Sequence, residues 1–321
     1  MTTELNAITF KAQTHPTHRF QNLYGQLTAN TLLDGWLKLN KSSAAGIDGV
    51  TASQYEAGLV DNLQQLVNKL ATKQYRVSDV KRVYIPKANG KQRPLGLPTL
   101  EDKIVQQSVS ELLQAIWEPE FLVSSYGYRP NKSAHQAVES LQLNLQHGSY
   151  GYIVEADIKG FFDNMSHEWL LKMLALKVDD KTLLNLINQW LKAKVIEPDG
   201  AKRKPQAGTP QGGVVSPILA NIYLHYALDL WFEKVIKPQL QGRAMLVRYA
   251  DDFVVAFQYK DEAERFYQEL PERLKKFNLE VAPEKTSIKR FSRFKPTHAT
   301  HFDFLGFRFY WDTDVNVLPM D

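Results

Sequence analysis

Residues 244–258, AMLVRYADDFVVAFQ, place two acidic side chains, Asp251 and Asp252, between two apolar runs. Such runs, rich in Val and Phe, predict two strands around a tight turn. Adjacent carboxylates at a hairpin tip repel each other, and a buried carboxylate needs a partner. A divalent cation answers both needs. Residues 150–157 predict another strand, with Tyr152, Val154 and Ala156 on one side and Ile153, Glu155 and Asp157 on the other. If that strand lies beside the hairpin, three carboxylates meet at one end of a sheet. An oxygen-only, anionic donor set suits Mg²⁺, which keeps several waters beside one or two carboxylates and substrate phosphates. Two such ions about 4 Å apart can serve an in-line displacement at phosphorus.

Working outward, residues 1–20 are expected as a loose arm and 21–40 as a first helix. Thr51 is expected to cap a helix whose Tyr55, Leu59, Leu63, Leu66 and Leu70 recur at helical spacing. Residues 81–93 predict a basic hairpin with a turn at Ala88, Asn89 and Gly90. Thr99 with Asp102 resembles a capping box. Ser166 is expected to cap a helix, another runs near 181–196, and Ser216-Pro217 opens a buried helix reaching about Val235. The helix near 261–277 is expected to break at Pro271, and residues 302–311, FDFLGFRFYW, predict one aromatic strand. Strands and helices mix without strict alternation, so the expected fold class is α+β. Four of the six tryptophans, Trp117, Trp169, Trp190 and Trp231, are expected in the core, and His298 with His301 is read as a loop pair, not a metal site.

Composition narrows the classes. The 321 residues contain no Cys, which excludes disulfides, cysteine-based zinc sites and thiol catalysis. No apolar run approaches the length that spans a bilayer, and residues 1–18 lack the apolar core of a secretory signal, so a cytoplasmic protein is expected. The net charge is only +4, but the bases cluster. Lys81, Arg82, Lys87, Lys91 and Arg93 form one group, Lys285, Lys289, Arg290, Arg293 and Lys295 a second, and Lys202, Arg203 and Lys204 a third. That pattern points to a polyanion-facing groove.

An ordered series of motifs resembles one known family. The segments RYADDFVV at 248–255, EADIKGFFDN at 155–164 and GTPQGGVVSPILANIYL at 208–224 resemble the palm and template-contacting blocks of group II intron-type bacterial reverse transcriptases. RVYIPKANGKQRPLGLP at 82–98 resembles their fingers hairpin, and GIDG at 46–49 their N-terminal extension. SYGYRP at 125–130, APEKT at 282–286 and FLGF at 304–307 fit the remaining blocks. The resemblance covers about residues 20 to 311.

The resemblance implies a right-hand polymerase fold with a small antiparallel palm sheet packed on helices. Residues 1–98 and 166–212 would be fingers with an N-terminal extension, and 99–165 and 213–321 palm, with the thumb absent. It implies an RNA-directed DNA polymerase that transfers a nucleotide from a dNTP to a primer 3′-hydroxyl with two Mg²⁺ ions. Asp157 and Asp251 would bind both ions, with Asp252 completing the cluster and the Ile158 carbonyl as an extra ligand. Lys81, Lys87 and Arg93 match triphosphate contacts, Gln211 a nucleotide contact, and Lys285 a proton donor to pyrophosphate. Phe162 matches an aromatic that blocks a ribose 2′-hydroxyl, with Phe161 as its rival. The implied partners are an RNA template and primer, dNTPs and a group II intron RNA, with no membrane. The alternatives are an intron RNA-binding splicing cofactor, as a maturase fragment, and a CRISPR-linked or host-defence reverse transcriptase.

Overall fold

The computed structural model of the chain describes residues 3–86, 90, 92–210, 212–296 and 300–311. Two compact units divide it, each built from two stretches of chain: 1–120 with 162–223, and 121–161 with 224–321.

In the first unit, helix α1 (Thr3–Thr14) replaces the expected loose arm. It buries Leu5 and Ala12 and packs against the long helix α5 (Leu100–Trp117), and that tertiary contact holds a segment with a weak apolar pattern. Helix α2 (Ala29–Lys38) is shorter than expected and also rests on α5. Thr51 caps as expected, its hydroxyl accepting from the Gln54 backbone N–H. The helix behind it is split into α3 (Ala52–Glu56) and α4 (Leu59–Ala71), with Ala57 and Gly58 between them. Strands β1 (Val80–Pro86) and β2 (Gln92–Leu97) form the antiparallel basic hairpin. Helices α7 (Phe161–Asn164), α8 (His167–Ala175) and α9 (Lys181–Leu191) follow, the last two capped by Ser166 and Asp180. The expected helix to 196 stops early, because Val195 and Ile196 pair as β4 in parallel with β1. Strand β5 (Lys202–Arg203) folds back on β4, so the sheet order is β2-β1-β4-β5. Helix α10 (Ser216–Leu224) closes the unit with nearly every side chain buried.

In the second unit, strands β3 (Tyr152–Asp157), β6 (Ala244–Tyr249), β7 (Asp252–Phe257) and β8 (Ser287–Arg290) make an antiparallel sheet of order β6-β7-β3-β8. One face carries Ile153, Val254 and Ala256 against Leu141 and Leu145 of helix α6 (Ala134–His147), with Phe291, Phe302 and Phe304. The other face packs Phe257 against Phe232 edge-to-face and against the tilted ring of Phe266 from helix α11 (Lys260–Lys275). Pro271 lies inside α11 without ending it. Phe266, Leu270 and Leu274 are buried on one stripe, and their burial outweighs the backbone hydrogen bond that proline removes. The chain from 224 onward is also not plain α-helix: π turns occupy His225–Asp229 and Phe232–Ile236. The aromatic tail is a hairpin, β9 (His301–Phe304) and β10 (Phe307–Tyr310), instead of one strand. Its two-residue turn, Leu305-Gly306, has φ of 53° and 82°, the left-handed geometry that reverses paired strands.

Trp117, Trp190 and Trp231 are buried as expected, but Trp169 is 38% exposed on α8. Among the described residues no helix is long and apolar enough to cross a membrane.

Candidate active site

The second unit assembles the acidic cluster from its sheet. Asp157, the last residue of β3, is the direct cross-strand partner of Asp252, the first of β7. Asp251 occupies the turn between β6 and β7. Directly opposed side chains on neighbouring strands have Cβ atoms about 4.5–5.5 Å apart, so these charges meet by register and not by chance. With Lys285 they line an open cavity of about 470 Å³.

The electrostatics follow from that crowding. Burial, followed by the charges of Asp157 and Asp251, pushes the Asp252 carboxyl up to about 6. The Lys285 ammonium, on a short turn at Pro283–Lys285, donates to Asp157 Oδ2 at 2.5 Å. That hydrogen bond and the Asp157 charge raise the lysine's pKa, so it stays protonated. Lys285 is placed by β8, and β8 is fastened to β3 through Glu155. The Glu155 carboxylate accepts from Ser287 Oγ at 2.9 Å and pairs with Lys289 Nζ at 2.6 Å.

The turn itself is held from behind. Ala250 has φ of 56°, a left-handed conformation that costs a non-glycine residue about 1–2 kcal/mol. Arg248 is fully buried and donates from Nη1 to the Ala250 carbonyl at 2.8 Å. Its other donors grip Asp229 in a bidentate fork, Nε to Oδ1 at 2.7 Å and Nη2 to Oδ2 at 2.6 Å, and Nη2 also reaches Ser125 Oγ at 2.7 Å. Gly127 backs the same turn: a Cβ there would stand 2.3 Å from the Ala250 nitrogen. Arg248, Asp229 and Glu155 were not among the expected site residues. An arginine inside an apolar strand and an aspartate on an apolar helix were the available signals, since neither is buried without a charged partner.

The remaining expected site residues distribute as follows. Ile158 is buried, and the bridge it forms with Val281 is hydrogen-bonded through Lys159 to Glu280 and Ala282 to Asp157, which leaves out the Ile158 carbonyl. Phe161 is buried, whereas Phe162 is half-buried and its carbonyl accepts from the Thr209 N–H at 2.8 Å. Lys81 and Arg93 are exposed on β1 and β2 of the first unit. Lys87, Gln211 and His298 lie outside the described residues.

Among the described residues no three Asp, Glu or His groups already converge as a metal cage. The donor chemistry nevertheless fits a hard divalent cation. The site offers oxygen ligands, excess negative charge and an open cavity, and Mg²⁺ needs only one or two carboxylates beside its waters.

A palm-like antiparallel sheet with opposed aspartates defines a right-hand nucleic-acid polymerase. The fold agrees with a solved structure described as apo telomerase from Candida tropicalis, truncated from its C-terminal domain. That structure has a TM-score of 0.54 at 16% identity, covering 76% of this chain and 57% of that one. The sequence model of the family described as "Reverse transcriptase (RNA-dependent DNA polymerase)" matches residues 85–309. Protein YkfC of Escherichia coli is 33% identical over 276 residues, 76% of this chain and 72% of that protein. Group II intron-encoded protein LtrA of Lactococcus lactis is 38% identical over 207 residues, 64% of this chain and 31% of that protein. The chain belongs to the reverse transcriptase family and is of its group II intron type.

Two outcomes follow from the geometry. Without divalent ions, the Asp252 carboxyl titrates higher in the folded protein than in the unfolded chain. Its contribution to stability is full below the unfolded value and is lost as pH rises through about 6. The metal-free melting temperature of Asp252→Asn should therefore exceed the wild type's at about pH 7.5, by a gap that narrows as pH falls and closes only below the unfolded carboxylate value. A constant gap across that range would remove Asp252 from the charge cluster. Asp229→Ala strands a buried guanidinium and should cost about 3–5 kcal/mol in urea denaturation. A loss under about 1 kcal/mol would show that the ion pair does not carry the turn.

Proposed function

We propose that this chain extends a primer with deoxynucleotides on an RNA template, as an RNA-directed DNA polymerase of the group II intron type. The observation that supports this reading best is the register pairing of Asp157 with Asp252, with Asp251 in the adjoining turn. In this reading residues 1–98 and 166–212 act as fingers, and 99–165 and 213–321 as palm.

Reverse transcriptases generally use divalent metal ions. Here Asp157, Asp251 and the Ile158 carbonyl would hold two Mg²⁺ ions, with Asp252 completing the set. When bound, such ions lower the pKa of a primer 3′-hydroxyl and neutralise charge on the leaving pyrophosphate. The protein needs no nucleophile of its own. Its carboxylates orient the reacting groups, and their mutual repulsion makes the empty cluster costly and cation binding favourable. Lys285 carries a proton at Nζ beside Asp157 and is the chain's donor toward the departing pyrophosphate. Lys81, Lys87 and Arg93 contact the triphosphate, and Gln211 the nucleotide. Phe161 is committed to the core, so the half-buried Phe162 is assigned the blocking of a ribose 2′-hydroxyl. The description of a relative as a group II intron-encoded protein supports an intron RNA as one RNA partner.

Extension of a labelled primer on an RNA template, with Mg²⁺ and four dNTPs, tests the reading. Asp251→Asn should lower the extension rate by about a thousandfold, while RNA affinity stays within about twofold, because a ligand is lost and no base contact is. A near-normal rate would take Asp251 out of the site, and tight intron RNA binding by a wild type that never extends would favour the splicing-cofactor alternative. Phe162→Ala should reduce discrimination between dNTPs and rNTPs by about tenfold or more. Unchanged sugar selectivity would return that role to another residue.

A further inference from the structure

The third basic cluster, at 202–204, has no part in the site described above. It belongs to the short β4–β5 hairpin of the first unit, which is welded to β1. Val80 and Lys81 pair in parallel with Val195 and Ile196, and Glu197 knots the two together. The Glu197 carboxylate accepts from Tyr84 Oη at 2.9 Å and lies 3.7 Å from both Arg82 Nε and Arg203 Nε. Two guanidinium groups from different strands are thus drawn to one side chain.

Beside this knot is a cavity of about 270 Å³, lined by Arg82, Arg203, Lys204, Gly208, Thr209 and Asp163 among others. The lining carries three cations and one carboxylate. Two of its backbone donors are already used: the Gly208 N–H goes to the Met165 carbonyl at 2.7 Å, and the Thr209 N–H to that of Phe162 at 2.8 Å. The cations are not all satisfied. Arg82 Nε is buried without a hydrogen-bond acceptor. A desolvated donor of this kind is costly, and an anion in the cavity would offset that cost.

We propose that this cavity seats a backbone phosphate of the RNA strand, gripped by Arg82, Arg203 and Lys204. The inference rests on the reading of the chain as an RNA-directed polymerase. Arginine forks suit phosphate oxygens, and the cavity has room for a phosphate group together with its waters. A nucleoside triphosphate shares this chemistry. It arrives with a divalent ion that needs carboxylates, however, and this cavity has one where the acidic cluster has three. The phosphate of an RNA strand needs only the cations.

The test compares Arg203→Gln/Lys204→Gln, Arg82→Gln and, as a control, Lys202→Gln. Lys202 faces Asp79 at 3.7 Å and does not line the cavity. Affinity for a short fluorescein-labelled single-stranded RNA is read by anisotropy across a salt series, and the half-saturating dNTP concentration by primer extension. The double variant should bind RNA about tenfold more weakly, with a salt slope smaller by about 1 to 2, and Arg82→Gln should weaken it in the same direction. Lys202→Gln should change affinity less than about twofold, and dNTP half-saturation should not move in the double variant. Equal losses in the double variant and the control would reduce the effect to general surface charge and overturn the proposal. A raised dNTP requirement with unchanged RNA affinity would overturn it in favour of nucleotide phosphate. If the wild type binds RNA but never extends a primer, the polymerase reading falls, while the anisotropy series still decides the cavity.

Discussion

Arg248 carries a positive charge at a fully buried position, three residues before Asp251. Burying a charge costs several kcal/mol unless nearly every donor is met. Here the Asp229 fork, the Ser125 hydroxyl and the Ala250 carbonyl meet them. The consequence reaches the surface, because the carbonyl that Arg248 holds belongs to the residue forced to positive φ. The acidic turn is therefore kept strained and presented by a buried ion pair, and its own sequence contains neither Gly nor Asn to ease the geometry. The segment containing Ser125 and Gly127 serves the same end, one residue by a hydroxyl and the other by lacking a side chain.

On that support the protein sets like charges against one another. Asp157 and Asp252 face each other because β3 and β7 pair in one register, and a slip by one residue would turn Asp157 to the opposite face. Apolar packing on both faces of the sheet enforces the register, with Ile153 and Val254 on one side and Phe257 on the other. The free energy of hydrophobic burial thus sustains an electrostatic arrangement that is unfavourable alone. Lys285 partly offsets the repulsion, and its position depends on the Glu155 ties between β3 and β8.

The parts that could be read from the chain are those governed by local rules. The aspartate hairpin, the basic hairpin of β1 and β2, and the caps at Thr51, Thr99 and Ser166 depend on residues a few positions apart. Elements set by distant contacts depart from those local rules. The first helix has little apolar pattern and is held by α5. Pro271 is carried through by a buried stripe, and Val195-Ile196 leave a helix because β1 offers a partner. The aromatic tail departs from the single strand expected for a local reason: Leu305 precedes Gly306 at a turn that usually advertises itself with Asn or Asp.

The amino-acid sequence by itself determined the family, the α+β class and the identity of the three acidic residues, because these rest on residue type and order along the chain. Tertiary structure alone decided that Asp252 would be the strained member of the three, that Arg248 would pair with Asp229, and that Glu197 would gather two arginines. Each of these depends on at least one pair of side chains brought together from 19 to 115 residues apart in the chain. Charges interact through distance in space and through the dielectric around them, and neither quantity is written in the order of the residues.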